Sequence, residues 1–287
     1  MSDFASVVTG ASGLVAGVRA GEGRMLAGMV WRDGVVVVSE QGLKEAEGYR
    51  VVLPGGGEAA ATLVGRDKGT NVAVLRAEAA RGTTIERAEP EVGGLALALG
   101  SDGAGGVTAR LGVVHRVGPE WHSIAGGRID RLIVLDARVA WHEEGGPVLD
   151  NAGRLLGIST LGPRRRVLVI PTDTVERSVE ALLRDGHVAR GWLGVALQPV
   201  GLPDAARSAA GSDGGLIVVG LSSGGPAAQA GLMLGDVVLA MDGAAMRSPR
   251  DFGRHVTSRG VGAACGLRVL RAGAVQEVPV TVGARPS

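Results

Sequence analysis

The chain has one cysteine, seven aromatic side chains and almost no net charge, with 30 lysines and arginines against 29 aspartates and glutamates in 287 residues. A single cysteine makes no internal disulfide, and Cys265, set in the apolar pattern around Leu267 and Val269, reads as a small buried residue. The basic residues are scattered, so the sequence carries no electrostatic footprint for nucleic acid or an anionic membrane surface. Apolar runs such as Gly94 to Gly100 and Gly34 to Val38 fall far short of the roughly 18–20 residues that cross a bilayer. Positive charge near the start is missing too: the first basic residue is Arg19, and Asp3 stands where a secretory leader would carry a cation. The cytoplasm is therefore expected if Met1 is the natural start, and the periplasm or the exterior if the chain was trimmed from a longer one.

Glycine is abundant, at 49 residues, yet glycine and proline stay below the roughly 25–30% that marks low complexity, and no G-X-Y period occurs. With 45% hydrophobic and 21% charged residues the chain is globular, and its length fits about two domains. Short β-branched runs closed by Gly, Asp-Gly and Asn-Ala-Gly recur up to about residue 170. They predict strands over 14–18, 26–31, 34–39, 49–53, 72–76, 95–99, 107–117, 129–135, 155–160 and 167–170, an all-β unit.

The period then changes. Val175, Val179, Leu182 and Leu183 recur at helical steps after Thr172 and Asp173, either of which can cap a helix, and Gly186 is placed to end it. Residues 186–191 read as a linker. Strands are predicted beyond it over 192–200, 215–221, 236–241, 264–270 and 277–282. A helix is predicted from Pro249 to about Ser258, with Ser248 as N-cap, and the small, polar stretch 201–214 reads as a mobile loop.

Three stretches carry a resemblance. Glu144-Gly-Gly-Pro-Val-Leu-Asp-Asn-Ala-Gly-Arg-Leu-Leu-Gly-Ile-Ser-Thr160 resembles a Gly-x-Ser-Gly-Gly-Pro nucleophile loop followed by a hairpin and Gly-Ile-x-Thr. Ile170-Pro-Thr-Asp173 is similar to an Ala-Ile-Pro-Ser-Asp barrel exit. Gly191-Trp-Leu-Gly-Val195 and the run from Gly224 to Asp236 resemble a PDZ ligand loop and a Pro-Ala-x-x-Ala-Gly-Leu-x-x-Gly-Asp signature. In this order they resemble the HtrA family, trypsin-like serine proteases with C-terminal PDZ domains. The resemblance implies a mainly β fold, with a trypsin-like double β-barrel over 5–185 followed by a PDZ domain over 190–284. Relatives trimerise through an N-terminal aromatic segment, where this chain offers only Phe4, so the oligomeric state stays open.

The residues that would carry the chemistry depart from the family pattern. Amide hydrolysis needs a hydroxyl or thiol, a base in hydrogen-bond reach and a carboxylate that orients the base. The resemblance places Glu144 at the serine position, Gln41 at the histidine position and Asn71 at the aspartate position, so the triad reads as degenerate. No histidine occurs between Val30 and Val92. His142 replaces the glycine of the oxyanion loop, and an ionised Glu144 would oppose the negative charge that the reaction develops.

His115, His122 and His142, with Glu143 and Glu144, form the one combination suited to a divalent ion, but they lack the tight spacings of a metal motif, and neither metal nor cofactor is expected. His187 and His255 read as solvated. Arg164 to Arg166 read as a hairpin tip, and Ser39, Ser123 and Ser159 as hydroxyls without a base. Trp141, next to the altered loop, is either a plug or a binding surface. In the PDZ segment, the resemblance makes Trp192-Leu193-Gly194-Val195 the loop that holds a peptide carboxylate, with Phe252 and Val256 facing the groove or packing the core. The function expected is a catalytically inactive pseudoprotease that binds protein C-termini or unfolded peptide segments. An active serine-type endopeptidase and a metal-binding protein on the altered barrel are the alternatives.

Overall fold

The structure is a computed structural model that describes residues 3–23 and 25–284; Met1, on which the expected compartment turns, lies outside them. The chain divides into two units, one ending at Val188 and the other beginning at Ala189.

In the first unit, α1 (Phe4–Ala11) is capped by Asp3 and precedes six strands, β1 (Val15–Ala20), β2 (Leu26–Arg32), β3 (Val35–Ser39), β4 (Tyr49–Val52), β5 (Glu58–Asp67) and β6 (Val72–Arg76). They close into a barrel in the order β1-β2-β3-β6-β5-β4. A second barrel is built from β7 (Leu95–Ser101), β8 (Val107–Gly118), β11 (Leu132–Asp136), β12 (Pro147–Asp150), β13 (Leu155–Leu161) and β14 (Val167–Pro171). Between β8 and β11 lies a small hairpin of β9 (Trp121–His122) and β10 (Arg128–Ile129). Helix α2 (Thr172–Asp185) closes the unit, ended by Gly186 in the left-handed conformation, as its position predicts.

The valine run of β3 is apolar on both faces because both are buried. Val36 and Val38 point into the first barrel beside Val18, Val51 and Leu75. Val35 and Val37 point out, into a core shared by Met29, Leu97, Leu99, Ile158 and the α2 residues Val175, Val179 and Leu182. Strand β7 divides likewise, with Ala96 and Ala98 filling the second barrel. The two barrels and α2 are thus locked around one seam, and the loops that leave the strands at that seam hold Gln41, Asn71 and Glu144.

The second unit contains β15 (Gly191–Trp192), β16 (Val195–Gly201), α3 (Asp204–Ala210), β17 (Gly214–Leu221), α4 (Pro226–Gln229), β18 (Val237–Met241), β19 (Ala244–Ala245), α5 (Pro249–Arg259), β20 (Ala264–Arg271), β21 (Ala274–Thr281) and β22 (Gly283–Ala284). The main sheet runs β16-β17-β18-β20-β21, so β16 has a neighbour on one side only. Pro199, which lacks an N–H, is at home on such an edge. Ser248 caps α5 as predicted, its Oγ accepting from Asp251 N at 3.1 Å.

Several expectations need correction. The 201–214 stretch is not a loop throughout: α3 occupies its middle, since an Ala-rich turn has high helix propensity but no amphipathic period to betray it. Thr172 and Asp173 do not cap α2; Pro171 holds the N-cap position and both residues lie inside the helix. The predicted strand 129–135 is broken at Asp130, whose carboxylate turns to Thr174 and Arg177 on α2. β5, rich in alanine, and α1, rich in β-branched residues, had no readable local signal.

Candidate functional site

Gln41, Asn71 and Glu144 meet at the seam of the first unit. Gln41 follows the end of β3, and Asn71 precedes β6 with φ 60°, a left-handed conformation that asparagine tolerates better than most residues. Glu144 comes from the loop before β12. That loop is pressed into the seam, because a Cβ on Gly146 would lie 1.9 Å from the Leu99 carbonyl oxygen.

The Glu144 side chain is buried, and its Oε1 is the centre of the cluster. It accepts from Thr160 Oγ1 at 2.8 Å, Ser39 Oγ at 2.9 Å, Leu161 N at 3.0 Å, Asn71 Nδ2 at 3.3 Å and Gln41 Nε2. Five donors exceed what one oxygen accepts at once, so they share it. Asn71 also links sideways, its Nδ2 donating to Thr160 Oγ1 at 2.6 Å and its Oδ1 accepting from Gln41 N at 2.7 Å. Gln41 Nε2 donates to the Leu161 carbonyl at 3.0 Å. Both backbone groups of Leu161 are therefore engaged, by the side chains of Glu144 and Gln41.

The three side chains are chemically consistent with one another. A buried carboxylate needs donors, and the amides of Gln41 and Asn71 supply N–H groups, where a carboxylate would supply none and a neutral imidazole only one. Ser39 has a carboxylate within hydrogen-bond reach after all, contrary to expectation, but it is 1% exposed and inaccessible to a substrate. Ser159 is buried as well, and the Ser123 hydroxyl accepts from Gly127 N within its own hairpin.

Neighbouring Glu143 is a separate buried acid. Burial alone would raise its pKa, but the Ala140 N–H, the Arg110 guanidinium and the Thr108 hydroxyl outweigh that and hold it below the ordinary value. His142 is exposed, its carbonyl accepting from Ala27 N at 2.6 Å. Its ring meets Trp141 edge-on, the centroids 5.4 Å apart. Trp141 borders a recess of about 480 Å³ with Leu26, Gly42 and Lys44, so it flanks the cluster and does not fill it. The histidines do not gather around the acids: among the described residues no three potential metal ligands form a group, and Glu143 and Glu144 are engaged by donors.

In the second unit Leu193, Phe252 and Val256 are buried in the core with Leu216, Met241 and Val269. Phe252 and Val256 therefore face inward as packing residues. Gly194 has φ 73°, and a Cβ there would lie 2.9 Å from Trp192 Cη2. The loop is pinned by Ser222 N donating to Gly194 O and Ala227 N to Leu193 O, each at 2.8 Å. Val195 begins the edge strand β16, whose outer side is unpaired in the sheet. Sequence reasoning missed Thr160, Leu161 and Ser39 as partners of Glu144. Thr160 was visible only as the end of a motif, and a backbone partner leaves no signal in a side-chain pattern.

Comparison with known proteins matches residues 27–158 to the trypsin-like peptidase domain and residues 191–282 to the PDZ domain. A curated relative from Brucella suis, named a probable periplasmic serine endoprotease DegP-like, is 33% identical over 270 residues, 90% of this chain and 52% of its own length. One of the same name from Rhizobium meliloti is 32% identical, covering 90% and 53%. The chain thus spans about half the length of the curated relatives it matches. Among solved structures, the HtrA-type protease AlgW with tripeptide superposes with a TM-score of 0.73 at 28% identity, covering 100% of this chain and 98% of that one. A serine endoprotease from Yersinia pestis does so at 0.77 and 25%, covering 100% and 99%.

Proposed function

Because the chain is HtrA-like, a trypsin-like peptidase domain followed by a PDZ domain, we propose that its peptidase site is silent and that it works by binding peptides or protein C-termini through the PDZ unit. The observation that carries this reading is the buried Glu144 carboxylate at the nucleophile position, bonded to the side chains at the other two triad positions. No hydroxyl stands there to attack a peptide, and the amides of Gln41 and Asn71 take up no proton near neutral pH.

The PDZ unit supports the other half of the proposal. An extended peptide can add to the open edge of β16, while backbone N–H groups of the loop from Trp192 to Val195 receive its carboxylate. Leu193, Phe252 and Val256 support that groove from the core. The working boundaries are 5–185 for the silent barrel and 190–284 for the PDZ domain. The relatives' names favour the periplasm over the cytoplasm, and among the described residues no helix is long and apolar enough to cross a membrane.

The test is to expose the full chain to unfolded casein and to a fluorophosphonate probe. Neither cleavage nor labelling of a barrel serine is expected, and Glu144→Ser alone stays inactive because the base is still missing. Turnover by the unmodified chain would establish instead the serine endopeptidase activity that its relatives' names carry.

A further inference from the structure

At the far end of β16, where Pro199, Val200 and Gly201 border it, the second unit contains an open cleft of about 800 Å³. Three arginines line it from three different elements: Arg207 from α3, Arg247 from the segment between β19 and α5, and Arg268 from β20. Only one carboxylate, Asp213, shares the wall. Glycines at 201 and 243 leave part of it without side chains, and a Cβ at either would meet nothing within 4 Å.

What holds these arginines is informative. Arg207 donates from Nε to the Leu202 carbonyl at 2.8 Å, and Arg268 from Nη2 to the Ala210 carbonyl at 3.1 Å. A carbonyl orients a guanidinium without cancelling its charge. The one ion pair, Arg207 with Asp204 at 2.9 Å, has a partner whose side chain is 94% exposed, and such pairs contribute little. Arg271 in the same unit shows the contrast, clasped by both oxygens of buried Asp236 at 2.8 and 2.7 Å. Among the described residues Arg268 and Arg247 have no carboxylate partner and that of Arg207 is exposed, so the cleft keeps positive charge beside open space.

We propose that this cleft is a second ligand site, distinct from the Trp192–Val195 loop although it borders the far end of β16, and that it binds a small phosphate-bearing ligand. Guanidinium groups supplied by three separate elements suit the tetrahedral array of phosphate oxygens, whereas a planar carboxylate is satisfied by one arginine fork in its own plane. The volume is larger than one phosphate needs, so the ligand carries a diphosphate or an organic group as well.

Calorimetric titration of the full chain with inorganic pyrophosphate, at constant ionic strength, tests this. One saturable site is expected. Arg247→Glu should weaken it about tenfold or more by removing a charge-assisted bond and adding repulsion, with the unfolding temperature unchanged because Arg247 is exposed. Arg268→Lys keeps the charge but loses the fork and should weaken binding as well. Arg116→Glu, an exposed arginine of the first unit, should change nothing, and malonate should bind about tenfold more weakly than pyrophosphate. The proposal is overturned by absence of a saturable site, by equal loss in the Arg116 and Arg247 variants, or by malonate binding as tightly as pyrophosphate.

Discussion

Glu144→Ala removes the acceptor on which five donors converge, and its cost depends on which of them have another partner to turn to. Asn71 Nδ2 keeps Ser39 Oγ at 3.0 Å and Thr160 Oγ1 at 2.6 Å. Gln41 Nε2 keeps the Leu161 carbonyl, and Ser39 Oγ can donate to Asn71 Oδ1 at 3.3 Å. The Thr160 hydroxyl proton and the Leu161 N–H lose their acceptor. A stranded buried donor costs about 1–3 kcal/mol, so two of them cost about 2–6 kcal/mol, reduced where water enters beside exposed Gln41. Glu144→Gln keeps a neutral Oε1 in place and should cost only about 1 kcal/mol, the difference between a charged and a neutral acceptor. Urea unfolding of the first unit, followed through Trp31, Trp121 and Trp141, measures the ranking. Hydrogen exchange at the Leu161 amide localises it. If Glu144→Ala were as stable as Glu144→Gln, or if Leu161 exchanged no faster in the alanine variant, the carboxylate would not be the centre of a structural clasp.

Gly146→Ala should destabilise the first unit by about 3 kcal/mol or more, because its Cβ would fall 1.9 Å from the Leu99 carbonyl oxygen and backbone must move; chemical unfolding reports it. Gly194→Val should abolish binding of peptides with a free C-terminus, since φ 73° is strained for valine and the Cβ would strike Trp192; in fluorescence titrations the same peptides amidated should bind weakly even to the unaltered chain. Asn71→Asp replaces a donor 3.3 Å from Glu144 Oε1 by a second carboxyl group that brings no N–H, so it should lower the unfolding temperature. On the acid side, Glu143 and Asp236 both sit below their ordinary values of 4.5 and 3.8; burial raises each, but Arg110 with the Ala140 N–H, and Arg271 with the Met233 N–H, outweigh it. Depressed carboxylates stabilise above their unfolded pKa and lose that stability as pH falls through the folded one, so the unfolding temperature should drop from about pH 5 towards pH 3. Arg271→Met should flatten that drop in the second unit.

Much of the fold was legible because its strands are short, β-branched and closed by turn residues, and because Gly186 and Ser248 mark helix ends with their own chemistry. The barrel strand β5 was not, since its Ala-rich segment acquires strand geometry from pairing with β4 and β6 and from nothing local. The 201–214 stretch misled for the opposite reason: alanines favour a helix without showing which face is buried.

The residue types at 41, 71 and 144 are properties of the sequence alone: no alignment to any structure is needed to see that no histidine lies between Val30 and Val92. What those residues do there was decided by the tertiary structure. The barrel seam brings Ser39, Asn71 and Thr160 to one buried oxygen from strands far apart in the chain, and it lets two side chains engage the backbone of Leu161. Hydrogen-bond partners of that kind are set by distance and direction in space, and a backbone N–H is the same in every residue but proline, so no pattern of side chains could have announced it.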